Sequence, residues 1–118
     1  MKRKEDCLFC KIVAGEIPAA RVYEDEQFLV FKDIQPAAPV HLLIVPKEHY
    51  QDILELSQSP EGPGLLGHLA ELLPQLVAQQ GLERGFRLLN NCGPEGGQTV
   101  LHLHFHLLGG EPLGERLR

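Results

Sequence analysis

No stretch of this chain is apolar for long enough to span a membrane, so a transmembrane helix is not expected. Nor is there a basic patch. Its 11 Lys and Arg stand against 16 Asp and Glu, for a net charge of -5, and no basic cluster follows the first few residues. A nucleic-acid polymer is therefore not the expected partner, because phosphate backbones are met by clustered positive charge. A mononucleotide remains compatible, since backbone amides and histidines suffice for one phosphate group. Cysteine is scarce as well: Cys7, Cys10 and Cys92 are too few for a disulfide framework. The opening "MKRKEDC" turns acidic at once and lacks an apolar core, so it does not read as a signal peptide, and the expected location is cytoplasmic. There is no internal repeat or low-complexity stretch. At 118 residues, 43% of them hydrophobic, the chain is expected to form one folded domain over residues 1–118.

What the chain does contain is strong local patterning. "LFCKIVAGEIP" reads as a short helical turn stopped by Gly15 and Pro18. Val22 to Glu24 and Phe28 to Lys32 read as strands around an acidic turn at Asp25 and Glu26. "QPAAPV" is a proline-rich loop, and "HLLIVPK" reads as a central strand apolar on both faces. "PGLLGHLAELLPQLVAQQ" is the main helix, with Leu65, Leu66, Leu69, Leu72, Leu73, Leu76 and Val77 on one stripe. Pro74 inside it predicts a kink or two shorter pieces, at a cost of roughly 3 kcal/mol. His68 at the rim of the stripe reads as a solvated helix histidine. "GFRLLNN" reads as a strand, "CGPEGGQ" as a glycine-rich loop and "VLHLHFHLL" as the last long strand. Strands in runs around one main helix predict an α+β fold with a mostly antiparallel sheet.

The last strand carries His102, His104 and His106 on alternate positions. Alternate residues of a strand share a face, so the three imidazoles are expected in a row, with Leu101, Leu103, Phe105 and Leu107 covering the core behind them. A spacing of about 6.5–7 Å along the strand is long for three ligands of one metal and suits an extended anion such as a nucleotide phosphate. Gly93, Gly96 and Gly97 precede the strand and can bring backbone amides close to an anion. "CLFC" is open between half of a zinc site and a redox pair.

"HLHFHLL" fits the pattern His-x-His-x-His-x-x with apolar x, and it resembles the histidine triad (HIT) family of nucleotide hydrolases and transferases. "CLFCKIVAGEIPA", "VYEDEQFLVFKDIQPAAPVHLLIVPKEH" and "GFRLLNNCGPEGGQTVLHLHFHLLGG" extend the likeness to the branch called histidine triad nucleotide-binding proteins over nearly the whole chain. The resemblance implies a five-stranded, mostly antiparallel sheet with one main helix and a short N-terminal helix. It also implies a purine nucleoside 5′-phosphoramidate hydrolase that releases AMP and an amine. The third triad position is His106, where related galactose-1-phosphate uridylyltransferases have glutamine, which favours hydrolysis over nucleotidyl transfer.

By the same match, His104 is the nucleophile that forms a covalent nucleotidyl-histidine, and His106 supports the phosphate oxygens. His41 is a fourth, supporting histidine. Asn91, Gly97, Gln98 and Thr99 fall on the phosphate-side loop, with Thr99 placed to help protonate the leaving amine. Asp33 matches the acid that holds the ribose hydroxyls, and Phe9, Ile12, Phe31 and Ile34 line the base and ribose pocket. Cys7, Cys10, His49 and His102 match a structural Cys2His2 zinc site, and no organic cofactor is implied. A homodimer with a continuous sheet is expected. Two features depart from the branch: Pro74 in the main helix, and "EPLGERLR" after "LLGG" where many members carry Trp-Pro-Pro-Gly, so the leaving-group side of the pocket is expected to differ. The competing expectations are a dinucleoside polyphosphate hydrolase using the same nucleophile, and a purine-nucleotide-binding regulatory module with little turnover. A metal-dependent enzyme built on the three histidines is disfavoured by their spacing.

Overall fold

The structure is a computed structural model that describes residues 3–117. Met1, Lys2 and Arg118, at the two ends of the expected domain, lie outside the described residues. The elements run α1 (Leu8–Val13), β1 (Arg21–Glu24), β2 (Phe28–Lys32), β3 (Val40–Pro46), α2 (Ile53–Ser57), α3 (Gly62–Gln80), β4 (Phe86–Asn90) and β5 (Phe105–Gly109). The five strands form one antiparallel sheet in the order β1-β2-β3-β5-β4. The α+β architecture with a main helix and a short N-terminal helix is thus the one the sequence predicts. Among the described residues no helix is long and apolar enough to cross a membrane.

Strand alternation divides the core in two. Phe28 and Val30 of β2, Leu42 and Ile44 of β3, and Phe105 and Leu107 of β5 pack against Leu65, Leu69, Leu72 and Leu76 of α3. The intervening Leu29, Phe31, Leu43 and Val45 pack against Phe9 and Ile12 of α1 on the opposite side. β3 is therefore covered on both faces, as its unbroken apolar run requires. α1, only six residues long, packs on this second face, and His106 of β5 lies on the same face opposite Leu43. The site lies on this face.

Two expectations about the helices and one about the last strand are corrected. The main helix runs continuously through Pro74 rather than as two pieces. Pro74 and Ala70, whose carbonyl loses its partner to the proline, are both exposed, so water can take up the orphaned bond. His68 is half-buried: its Nε2 is 2.5 Å from Asp25 Oδ2, and its ring stacks on Phe28 at 5.7 Å. It clamps α3 to the β1–β2 turn, on the face away from the histidine row. The last strand begins only at Phe105, and residues 100–104 are irregular. β5 pairs with β3 up to Ile44–Phe105. Continued by that register, Leu103 would face Pro46, which has no N–H to give, and the Leu103 N–H turns instead to the Tyr50 carbonyl at 2.7 Å. Leu101 is consequently exposed rather than in the core.

Candidate functional site

Because the strand starts late, the three histidines do not form a uniform row. Each makes a different bond to a group whose donor or acceptor role is fixed, and that bond decides where its proton sits. His102 Nε2 donates to the Pro46 carbonyl at 2.8 Å, leaving Nδ1 as a lone pair. His104 does the reverse: Nδ1–H donates to the His102 carbonyl at 2.7 Å, leaving Nε2 as the lone pair. The proton of His106 is set from further away. The Ala37 N–H donates to His41 Nδ1 at 3.0 Å, so His41 carries its proton on Nε2 and donates to His106 Nδ1 at 2.8 Å. His106 is left with an Nε2–H. Next to each other, with ring centres 5.1 Å apart, stand one imidazole offering a lone pair and one offering a proton.

Burial keeps these rings neutral. It pushes His104 below the ordinary histidine value, against the raising effects of the His102 carbonyl and the Asp33 carboxylate. It pushes His106 down to about 4, with the neighbouring His104 and His41 adding to the effect. Asp33 stands 3.4 Å from His41 Nε2 through Oδ2, while its Oδ1 accepts the Gln35 N–H at 2.8 Å. It therefore shapes its own turn as well as facing the histidine pair. Phe9, Ile12 and Phe31 are buried together beside the site, Phe9 edge-on to His104 at 5.1 Å. Ile34, expected beside them, is 94% exposed, because it follows β2 in a bend where strand alternation no longer carries it inward.

His102 belongs to a second cluster. Its Nδ1 lies 3.2 Å from Cys7 Sγ, 3.6 Å from Cys10 Sγ and 3.2 Å from His49 Nδ1. Cys10 Sγ is 3.4 Å from His49 Nδ1, all four residues are buried, and the four donor atoms lie within 4.8 Å of one another. Bond lengths of about 2.3 Å to sulfur and about 2.0–2.1 Å to nitrogen place tetrahedral donors about 3.3–3.6 Å apart along the N–N and S–N edges. The spacings thus fit a four-coordinate metal cage with no open position. The Nε2–H bond to Pro46 is the outer contact that orients His102 as a ligand. Burial lowers His102 to about 4, so it stands in the neutral, ligating form.

The glycine-rich loop differs from expectation. Gly93 and Gly97 sit at φ 75° and 82°, where glycine is favoured, and a Cβ on Gly96 would meet the Cys92 carbonyl oxygen at 2.3 Å. The Gly96 and Gln98 amides donate to the Gly93 carbonyl and the Gly97 amide to the Pro94 carbonyl, so these three are occupied within the loop rather than turned to an anion. The Gln98 carboxamide is also used internally: Oε1 accepts from the Gly93 N–H, and Nε2 donates to the Gln51 and Val100 carbonyls. Gln98 staples the loop, while Thr99 is exposed at its end and Asn91 is half-buried at its start. The residue that sequence reading missed is Asn90, whose Nδ2 donates to the His104 carbonyl at 2.9 Å. Asn90 stands next to Asn91, the residue to which the family resemblance points, and its pairing with Phe105 is what brings its amide to the His104 carbonyl.

The HIT domain family model matches residues 14–113. A HIT-like protein of Synechococcus elongatus is 50% identical over 109 residues, covering 92% of this chain and 94% of its own. A HIT family hydrolase of Clostridium thermocellum superimposes with a TM-score of 0.91 at 43% identity, covering 98% of this chain and 100% of its own. A histidine triad protein of Clostridium difficile gives 0.90 at 41% identity, covering 97% and 98%. With the triad, its fold and these likenesses in agreement, the chain belongs to the HIT domain family.

Proposed function

We propose that this protein is a single-domain nucleotide-binding hydrolase of the histidine triad nucleotide-binding branch, cleaving purine nucleoside 5′-phosphoramidates through a nucleotidyl-histidine intermediate. The observation that carries the reading is the pair of neighbouring imidazoles in opposite proton states: His104 Nε2 as a lone pair, His106 Nε2 as a donor. His104 Nε2 attacks the α-phosphorus, forming an N–P bond as the bond to the amine breaks. The departing nitrogen takes a proton from solvent, with the exposed Thr99 hydroxyl as its relay. Water then attacks phosphorus and releases its proton to solvent, the bond from His104 Nε2 to phosphorus breaks, and Nε2 recovers its lone pair as AMP leaves. Covalent catalysis splits one difficult displacement into two easier ones. Phosphoryl transfer needs mainly positioning and charge stabilisation, which the His106 Nε2–H supplies at the phosphate oxygens. Asp33 takes the ribose hydroxyls, and Phe9, Ile12 and Phe31 wall the base; Asn91, Gly97 and Gln98 serve by shaping the loop.

The closed cage of Cys7, Cys10, His49 and His102 is read as a structural zinc site, which when loaded supplies rigidity and no reacting ligand. Edge strand β4 leaves Phe86 and Leu88 exposed, which supports a homodimer whose sheets join. A cytoplasmic location suits the free thiols of Cys7, Cys10 and Cys92. The test is rapid quench of the protein with adenosine 5′-phosphoramidate and, separately, with a dinucleoside polyphosphate. Mass spectrometry should find nucleotidyl-His104 with the phosphoramidate, and His104→Ala should form none and turn over at least about 1000-fold more slowly. Full activity in His104→Ala would remove the nucleophile. Faster turnover of the polyphosphate would reassign the substrate, and no intermediate or turnover with either would leave a nucleotide-binding module.

A further inference from the structure

The cage and the nucleophile share parts. His102 gives its Nδ1 to the cage and its main-chain carbonyl to the Nδ1–H of His104 at 2.7 Å. That peptide lies in the irregular stretch 100–104, outside the sheet ladder, so its own N–H bond to the Tyr50 carbonyl and the side chains around it hold it in place of strand pairing. Phe9 forms the second link. It sits between Cys7 and Cys10 on α1, with its ring edge-on to His104 at 5.1 Å and to His102 at 5.9 Å. A six-residue helix does not hold itself together in water. α1 is capped by Cys7, whose Sγ accepts the Cys10 N–H at 3.3 Å, so the helix starts on the cage itself. The cage thus borders the backbone group that fixes the His104 proton and carries the ring that fixes its plane. The family-matched residues 14–113 include none of Cys7, Cys10 and Phe9.

We propose that filling the Cys7–Cys10–His49–His102 cage positions the nucleophile, acting on His104 through the His102 carbonyl and the Phe9 ring, an inference that rests on His104 being the nucleophile. Phe9 and His102 are then positioning residues. Emptying the cage removes one anchor from α1 and one from the 100–104 segment, so the acceptor for the His104 Nδ1–H and the ring that holds its plane are both less tightly placed. A displacement of about 1 Å at a reacting group costs on the order of 100-fold in rate.

The experiment compares the zinc-loaded full chain, the same protein stripped by chelator, and Phe9→Leu, which keeps all four ligands. Nitrogen-15 NMR of the His104 ring at pH 8 reads the proton position independently of activity. The loaded protein should show only the Nδ1–H form. The stripped protein should show a mixture, with the single-turnover rate of nucleotidyl-His104 formation lowered about 10–100-fold, and one equivalent of zinc should restore both. Phe9→Leu should keep one zinc per chain yet form the intermediate about 10-fold more slowly. If the stripped protein unfolds, the His104 ring signal of zinc-loaded Phe9→Leu without nucleotide decides alone, because a change of rate would also follow from the contact of Phe9 with the base. A stripped protein, or a zinc-loaded Phe9→Leu, with unchanged ring signal and unchanged rate overturns the proposal while leaving the nucleophile assignment intact. Full activity in His104→Ala overturns that assignment instead, so the two failures are distinguishable.

Discussion

Each histidine of the triad has its proton placed by a main-chain group: the Pro46 carbonyl, the His102 carbonyl, and the Ala37 N–H acting through His41. The sequence motif names the histidines but is silent about these partners, because a carbonyl leaves no mark in the residue type. Asn90 belongs to the same set, since its amide holds the peptide of His104. Removing it leaves a half-buried carbonyl short of one bond. Asn90→Ala is expected to lower stability by about 1 kcal/mol and kcat several-fold, with AMP affinity held. Urea denaturation and steady-state kinetics check the two parts, and an unchanged kcat would make Asn90 a purely structural residue. That Gln98 bonds within its loop and that Ile34 faces solvent are facts about which the motif is equally silent. Side-chain direction in a loop or bend depends on backbone turns that a family match does not specify.

At the scale of elements, regular periodicity was legible and its interruptions were not. β2 spans Phe28–Lys32 as read, and β3 shows the two-sided burial its apolar run predicts. β5 is shorter than the alternating pattern suggests, because its neighbour β3 ends at a proline that cannot continue the ladder. α2 was missed: five residues are too few to establish a helical period. α3 survives its internal proline because the broken bond faces water. Pro74→Ala should therefore stabilise the protein by about 1–2 kcal/mol, the gain of a helix bond less the unfolded-state entropy that proline removes. A calorimetric Tm raised by a few degrees is the expected result, and a lowered Tm would mean that the ring makes a needed contact.

The molecule as a whole stores neutral imidazoles in its interior, and acid should unfold it for that reason. His102 and His106 take up protons near pH 4 when folded but near 6.5 when unfolded. Between those values the unfolded chain binds more protons, so stability rises with pH. The stabilisation is complete above about pH 6.5 and drains away as the pH falls toward 4. Asp25, lowered to about 2 by the Tyr23 and His68 side chains and the Phe28 and Gln27 amides despite its burial, extends the same trend below pH 3.8. Urea midpoints of the metal-stripped protein should be level from pH 8 to 7 and fall steadily from 6.5 to 4.5, and a flat profile would contradict the burial of these rings.

The four cage donors are also scattered along the polymer: Cys7 meets His102 across 95 positions and His49 meets it across 53. A chain emerging from the ribosome exposes Cys7 and Cys10 first and His102 last of the four. Until then a thiol pair and one imidazole can catch a metal only loosely. Assembly of the cage therefore waits for the same short segment that carries His104, so the metal-binding group and the histidine beside it are completed together.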